Sequence, residues 1–320
     1  MGITTYDRPE MLRECLGSLL SDSSDDFEVL VGNDNPEKPL SPEALGVCDS
    51  RVRFFNRARN LGELGNLNAL LSEASGLYFT WQSDDDFYAP GYLAWARSCV
   101  ERYDIPDAMQ CSFRTATCFV SAPSCGAIED ELFSGPELLA RHWGGSAPMM
   151  ALTGMYRREW LLGIGGLARL CDAPVAAMSE YLLLVQLGQL RRVVYTPEVL
   201  VYFRVHEGSW SMTTPDIAAW ETAAEGFVAR ALPIIQGPAY EDRYVLHYRR
   251  VLQHALGNVS TVLARPAVRP SWRRESTFVW RFAKTCFANS VKRPLVSAAL
   301  TTSALFQFFR GMKGWIRSVG

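Results

Sequence analysis

The sequence predicts an α/β protein, a mostly parallel central sheet covered on both faces by helices and followed by a helical C-terminal extension. Three observations predict it. Through the first hundred residues, short apolar runs of strand length alternate with segments whose leucines recur at helical spacing. The runs read as strands buried on both faces, and the segments between them read as helical crossovers. Beyond Pro215 the chain turns helical, punctuated by Pro233, Pro238, Pro266, Pro270 and Pro294.

Residues 3–5 end a first strand. Asp7-Arg8-Pro9-Glu10 then reads as a helix start, with Asp7 as N-cap and Pro9 in the first turn, where a missing N–H is harmless. Leu12, Cys15, Leu16, Leu19 and Leu20 give that helix its apolar face. A polar stretch, 21–26, leads to a strand at 27–31 that ends in Gly32-Asn33-Asp34-Asn35-Pro36. Next come a strand at 52–55, a helix with Leu64, Leu67, Leu70, Leu71 and Ala74 on one face, and a strand at 77–81. That strand runs into Ser83-Asp84-Asp85-Asp86. The second half mixes strands at 109–113, 192–195 and 199–205 with a helix near 179–190. In parallel sheets ligands sit beyond the carboxyl ends of the strands, so Thr4, Asp34 and the run 84–86 converge on one crevice.

Composition narrows the function classes. At 48% hydrophobic and 21% charged, the chain is neither disordered, collagen-like nor coiled-coil. A net charge of −2 gives no global basic field, so no nucleic-acid partner is expected. The charge is uneven: +10 from Arg265 onward and −12 before it, an acidic body with a basic docking tail. Eight cysteines without a CxxC pair, and no secretory leader, read as a reduced cytoplasmic protein. Cys111, Cys118 and Cys125 recur every seven residues but lack His partners, and they read as buried thiols rather than a zinc site. Residues 4–9 contain no glycine, which disfavours a nucleotidyltransferase. No GxGxxG opens a helix, which disfavours a dinucleotide oxidoreductase.

The acidic run is the sharpest feature. Three neighbouring carboxylates repel one another unless a cation neutralises them. Mg²⁺ or Mn²⁺ is the expected cation, because hard ions take one or two carboxylates and complete their shell with substrate phosphates; a solvated acidic turn is the alternative.

Thr4-Thr5-Tyr6-Asp7-Arg8-Pro9, Glu28 to Asp34, Asn60-Leu61-Gly62 with Asn66 and Asn68, and Ser83 to Asp86 with Pro90 occur in one order. With Thr153 to Arg158, Gly165-Gly166, Ser179-Glu180-Tyr181-Leu182 and Tyr202 to His206, the chain resembles a family 2 glycosyltransferase of the GT-A fold, Rossmann-like in its sheet. The resemblance spans residues 1–212, with a nucleotide-binding half at 1–106 and an acceptor half at 107–212. Residues 213–320 form the helical region. It implies metal-dependent, inverting transfer of a sugar from a nucleoside diphosphate sugar, first of all a UDP-sugar. The implied acceptor is a glycan or a lipid-linked molecule, in surface polysaccharide or glycoconjugate synthesis.

Carried over by position, the resemblance assigns Thr4, Tyr6 and Asp34 to the base and ribose, with Arg8 beside them within reach of a phosphate. It assigns Asp84 to the ribose, Asp85 and Asp86 to the metal, and His206 to a loop closing over the diphosphate and metal. Glu180 becomes the general base, with Glu207 and Asp172 as competitors. Arg157 and Arg158 are a solvated pair or a phosphate contact. The chain departs from the family at Asp7 (usually Asn), Ser83 (usually Asp) and Ser179 (usually Glu). The alternative is therefore an inactive GT-A module for glycan binding or complex assembly.

In the tail, Phe278, Trp280, Phe282 and Phe287 interleave with Arg281, Lys284, Lys292 and Arg293. The uncharged stretch 294–309 is shorter than the ~20 apolar residues a spanning helix needs. Arg310, Lys313, Trp315 and Arg317 follow it. This pattern suits an interfacial helix on an anionic leaflet, which would place the protein peripherally at the inner face of the cell membrane. A helical cap over the catalytic domain, or a dimer contact, is the alternative.

Overall fold

In a computed structural model of the chain, residues 1–118, 129–172, 176–206, 216–265, 268 and 271–319 are described. They fall into two units, Met1–Leu167 with Leu190–Ser209, and Ala168–Gln189 with Trp210–Gly320.

The first unit holds two sheets. Strands β1 (Gly2–Thr5), β2 (Val29–Asn33), β3 (Val52–Asn56) and β5 (Trp81–Ser83) form an all-parallel sheet in the order β3-β2-β1-β5. Between them run α1 (Pro9–Leu20), the short α2 (Pro42–Leu45), α3 (Gly62–Glu73) and the two-residue β4 (Tyr78–Phe79). After β5 come β6 (Phe87–Tyr88), α4 (Tyr92–Arg102), β7 (Ala108–Ala116), β8 (Glu131–Phe133), α5 (Gly135–Trp143), β9 (Met155–Arg157) and α6 (Arg158–Gly163). The last strand, β10 (Val193–Arg204), completes a mixed sheet in the order β4-β9-β7-β10-β6, with β8 also paired to β10. Ile3, Val29, Val31, Leu12, Leu16 and Leu19 pack into one core with Phe87, Met109, Val194 and Val201.

The strand predicted at 77–81 divides at Thr80, and its halves join different sheets. The Thr80 carbonyl accepts from Gly2 N–H at 2.9 Å, while its hydroxyl donates to the Leu152 carbonyl at 3.1 Å. The reverse happens at the two strands predicted within 192–205. They are one strand, with register shifts between Thr196 and Val201, because Pro197 has no N–H for the ladder.

Asp7 does not cap α1. Its φ of 58° lies in the left-handed region, where Asp and Asn are the best tolerated residues after Gly, so Asp can stand where Asn is usual. Its carboxylate pairs with Lys38 Nζ at 2.6 Å, and Arg8 takes the N-cap position without a side-chain cap bond. Two asparagines tie α3 into the unit. Asn66 donates to the Gly32 carbonyl at 2.7 Å, and a Cβ on Gly32 would lie 2.3 Å from Asn66 Oδ1, so only glycine fits there. Asn68 exchanges hydrogen bonds of 2.8 Å with both Leu167 N–H and C=O, fixing the Gly165–Gly166 turn.

The second unit is helical: α7 (Ser179–Leu187), α8 (Ile217–Ile235), a 3₁₀ turn (Pro238–Arg243), α9 (Tyr244–Leu263), α10 (Trp272–Ala288) and α11 (Pro294–Val319). Segment 168–189, expected with the first 212 residues, belongs to this unit. Leu182, Leu183, Leu184, Val185 and Leu187 make α7 apolar around most of its circumference, and such a helix needs neighbours on several sides. Helix α8 supplies one, and the Tyr240 hydroxyl donates to the Val185 carbonyl. Pro233 sits inside the last turns of α8 rather than ending it. Pro266 and Pro270 lie outside the described residues. Phe278 and Phe282 of α10 are fully buried, and Phe278 meets Phe308 of α11 edge-on.

Candidate active site

The carboxyl ends of β1, β5 and β10 carry the candidate site. Register sets it: Thr4 pairs with Gly32 on one side and Ser83 on the other, so the residues following β1 and β5 emerge together. Asp84 N–H donates to the Thr4 carbonyl at 3.2 Å, which pins the acidic run to β1. Asp86 N–H turns back to the Ser83 carbonyl at 3.3 Å.

All three carboxylates are buried, and the cation beside two of them is Arg8. Its Nη2 lies 2.5 Å from Asp84 Oδ1 and its Nη1 2.7 Å from Asp85 Oδ2. His206 Nε2 lies 2.9 Å from the same Asp85 oxygen and 3.5 Å from Arg8 Nη1. The sequence brought Arg8 toward a phosphate, and the structure sets it against the acids. Burial pushes the Asp84 carboxyl up to about 7 even with Arg8 beside it. At Asp85 burial also pushes upward, but Arg8, Ser83 and His206 outweigh it and the net direction is down. Arg8 itself is raised, because the two acids overcome its desolvation. Beneath them Cys15 is fully buried, and burial together with the three aspartates holds it as a thiol.

Asp86 is turned elsewhere. Its Oδ1 accepts from Arg204 N–H at 2.8 Å, fastening the end of β10, two residues before His206. Among the described residues no group of three or more His, Cys, Asp or Glu is gathered as a metal would require, so the set Asp85, Asp86 and His206 is not assembled as three ligands. Asp85 and His206 do converge. A carboxylate and an imidazole on one point fit a Mg²⁺ or Mn²⁺ that completes its shell with phosphate and water. Arg204, which the sequence did not single out alone, is 6% exposed; it pairs with Glu14 at 2.7 Å and lies over the Phe87 ring. Its signal was its position, between a β-branched strand and His206.

Around this centre, Tyr6 is 51% exposed, while Asp34 is buried and accepts from Leu61 N–H at 2.7 Å, across 27 residues. Asp34 thus holds the start of α3, and burial raises its pKa against the pull of the Leu61 and Gly62 amides. Arg157 lies over the Tyr78 ring, and Arg158 donates to the Gly76 carbonyl at 3.0 Å. Both are engaged within the first unit. Of the recurring thiols, Cys111 is buried and unpaired, Cys118 is exposed, and Cys125 lies outside the described residues.

Glu180 stands in the second unit, in the first turn of α7 after Met178, whose φ is 60°. Ser179 is buried, its hydroxyl donating to the Ala168 carbonyl at 2.7 Å, a contact a Glu at that position could not reproduce. Glu207 lies outside the described residues, and Asp172 is exposed.

Residues 2–116 match the family model described as glycosyl transferase family 2. The GalNAc(5)-diNAcBac-PP-undecaprenol beta-1,3-glucosyltransferase of Campylobacter jejuni is 30% identical over 95 residues, 29% of this chain and 31% of that protein. The chain spans about a third or less of the length of the curated relatives it matches. Among solved structures, Staphylococcus aureus TarS 1–349 in complex with UDP-GlcNAc aligns with a TM-score of 0.54 at 13% identity, over 98% of this chain and 90% of that one. The mannosyltransferase PcManGT of Pyrobaculum calidifontis, in complex with GDP-Man and Mn²⁺, aligns with a TM-score of 0.50 at 15% identity, over 96% and 86%. The fold is GT-A.

Proposed function

We propose, from the match of residues 2–116 to the glycosyl transferase family 2 model, that the chain is a metal-dependent, inverting glycosyltransferase using a nucleoside diphosphate sugar, first of all a UDP-sugar. The observation that carries this reading is the cluster of Arg8, Asp84, Asp85 and His206 at the carboxyl ends of β1, β5 and β10. Structural neighbours solved with UDP-GlcNAc, and with GDP-Man and Mn²⁺, support a diphosphate and a divalent ion there.

In this reading residues 1–212 are the transferase region, with the nucleotide held by 1–106 and the acceptor by 107–212. Thr4, Tyr6, Asp34 and Asp84 take the base and ribose. Asp85 and His206 hold the metal, and Asp86 positions His206 through the Arg204 amide. The metal, when bound, supplies Lewis-acid stabilisation of the charge that grows on the departing diphosphate. The acceptor oxygen attacks the anomeric carbon as the carbon–oxygen bond to the diphosphate breaks. The electron pair leaves with the diphosphate, and Glu180 removes the acceptor proton. One base opposite the leaving group gives in-line attack and inversion. A position in the first turn of a helix favours an ionised Glu180.

A lipid-linked or glycan acceptor, and a place on an anionic membrane, belong to the same reading. Trp280, Phe287, Val291, Leu295 and Phe306 are exposed, with Lys284, Lys292 and Arg293 among them. Basic and aromatic side chains of this kind suit a charged interface. No described helix is long and apolar enough to cross a membrane.

The test is thermal shift with UDP, with and without Mn²⁺, together with hydrolysis of UDP-sugars by wild type and Glu180→Gln. Stabilisation by UDP with Mn²⁺, and turnover lost about 10³-fold in Glu180→Gln, is the expected result. Neither stabilisation nor turnover with any nucleotide sugar would favour a non-catalytic GT-A module.

A further inference from the structure

Arg8 stands on the atom a divalent ion needs. Its Nη1 donates to Asp85 Oδ2 at 2.7 Å, and His206 Nε2 lies 2.9 Å from that same oxygen. The guanidinium nitrogen and the imidazole nitrogen are only 3.5 Å apart. A hard ion sits about 2.0–2.2 Å from its ligands, so one bound to both Asp85 Oδ2 and His206 Nε2 would lie within about 4.5 Å of the guanidinium nitrogen. Two cations that close repel each other strongly in a buried site.

We propose that Arg8 is a resident counter-cation that must leave Asp85 before a divalent ion binds, and that the arriving diphosphate draws it away. Metal and nucleotide then bind as a coupled pair instead of independently. This inference rests on the assignment of Asp85 and His206 as metal ligands.

Three observations support it. Asp85 is 8% exposed, so it cannot lose Arg8 without another cation taking its place. Other nearby basic groups are engaged: Arg204 is held by Glu14 at 2.7 Å and Lys38 by Asp7 at 2.6 Å. Arg8 has room to move, because its side chain is 32% exposed and it opens α1 without a cap bond. A guanidinium grips phosphate oxygens in the same forked geometry it uses on carboxylates, so the diphosphate offers an equivalent seat. The exchange leaves both Asp85 and Arg8 paired: the metal takes the aspartate and Arg8 takes the phosphate. Coupling of this kind is reciprocal, so metal must tighten nucleotide binding by the factor that nucleotide tightens metal binding.

The experiment is a Mn²⁺ titration of the full chain, followed by the electron paramagnetic resonance signal of free Mn²⁺, with and without UDP. Wild type is expected to bind Mn²⁺ weakly alone and at least about tenfold more tightly with UDP, a factor well within one close charge–charge contact. Arg8→Met is expected to bind Mn²⁺ alone about tenfold more tightly than wild type, and to gain less from UDP. Arg8→Lys, which keeps the charge, should stay near wild type. If Arg8→Met and Arg8→Gln, both shown folded by circular dichroism, bind Mn²⁺ alone no better than wild type, the proposal is overturned. If all variants bind UDP but none binds Mn²⁺ even with it, the metal assignment itself fails, and this inference with it.

Discussion

In the first unit Asp84 and Asp85 share Arg8 at 2.5 and 2.7 Å; in the second, Glu221 and Glu275 share Arg274 at 3.8 and 2.9 Å. Both pairs are buried, and both set one arginine between two acids. The difference lies in how closely the cation approaches and what else can reach the site. At the strand ends Arg8 grips both carboxylates, and His206 faces one of them. Between α8 and α10 the guanidinium of Arg274 stands off from Glu221, and Arg281 lies 3.9 Å away on the other oxygen, drawn toward Glu225 at 2.9 Å. Burial and the neighbouring Glu275 then push Glu221 up to about 8, so this pair keeps a proton at neutral pH. Where the guanidinium lies 2.7 Å from Asp85, that carboxyl is held below its ordinary value; where it stands 3.8 Å from Glu221, that carboxyl is raised and the pair keeps a proton.

The comparison breaks most directly at Asp85. Asp85→Asn keeps the shape and the Arg8 contact but removes the charge, and about a 10³-fold loss of kcat/KM with an unchanged melting temperature is expected. A loss of stability in place of activity would make the first cluster structural, like the second. The mirror experiment is Glu275→Ala. It removes the close partner of Arg274 and leaves Glu221 beside a cavity, and about 2 kcal/mol of stability should be lost in denaturant titration. That figure is already reduced for solvent screening, since the Arg274 side chain is 38% exposed.

The smallest effect sharpens the comparison through pH. Glu221 has an ordinary value of 4.5 and a folded value of about 8, so between them the folded chain holds a proton that the unfolded chain has released. Its stabilising contribution is complete below about 4.5 and fades as pH rises through about 8. The melting temperature should therefore fall from about pH 5 to about pH 9, and Glu221→Gln should flatten that slope. An identical slope in the variant would mean that the carboxyl pair carries no proton.

Much of the first unit was legible residue by residue. Leu12, Cys15, Leu16 and Leu19 announced α1 through their spacing, and all four are buried. Asn66 and Asn68 were visible as a motif, but not their tasks, because their partners, Gly32 and Leu167, lie 34 and 99 residues away. Asp7 illustrates the opposite failure. Its place before Pro9 suggested a cap, yet its backbone conformation and Lys38, 31 residues on, decide what its carboxylate does. Asp34 followed the same course, its carboxylate engaged by the Leu61 amide at the start of α3.

The sequence by itself determined which chemical groups are present and in what order. It set the alternation of strands and helices, the acids at the end of a strand, and the basic aromatic tail, because these depend on periodicity and residue type over a few neighbours. Only the tertiary structure decided how those groups are paired: that Arg8 faces the aspartates, that Asp86 holds β10 instead of joining Asp85, and that segment 168–189 packs with the helices. The reason is physical. Periodicity is a local property of the chain, whereas the partner of a buried charge is chosen by whichever opposite charge or amide the fold brings within about 3 Å.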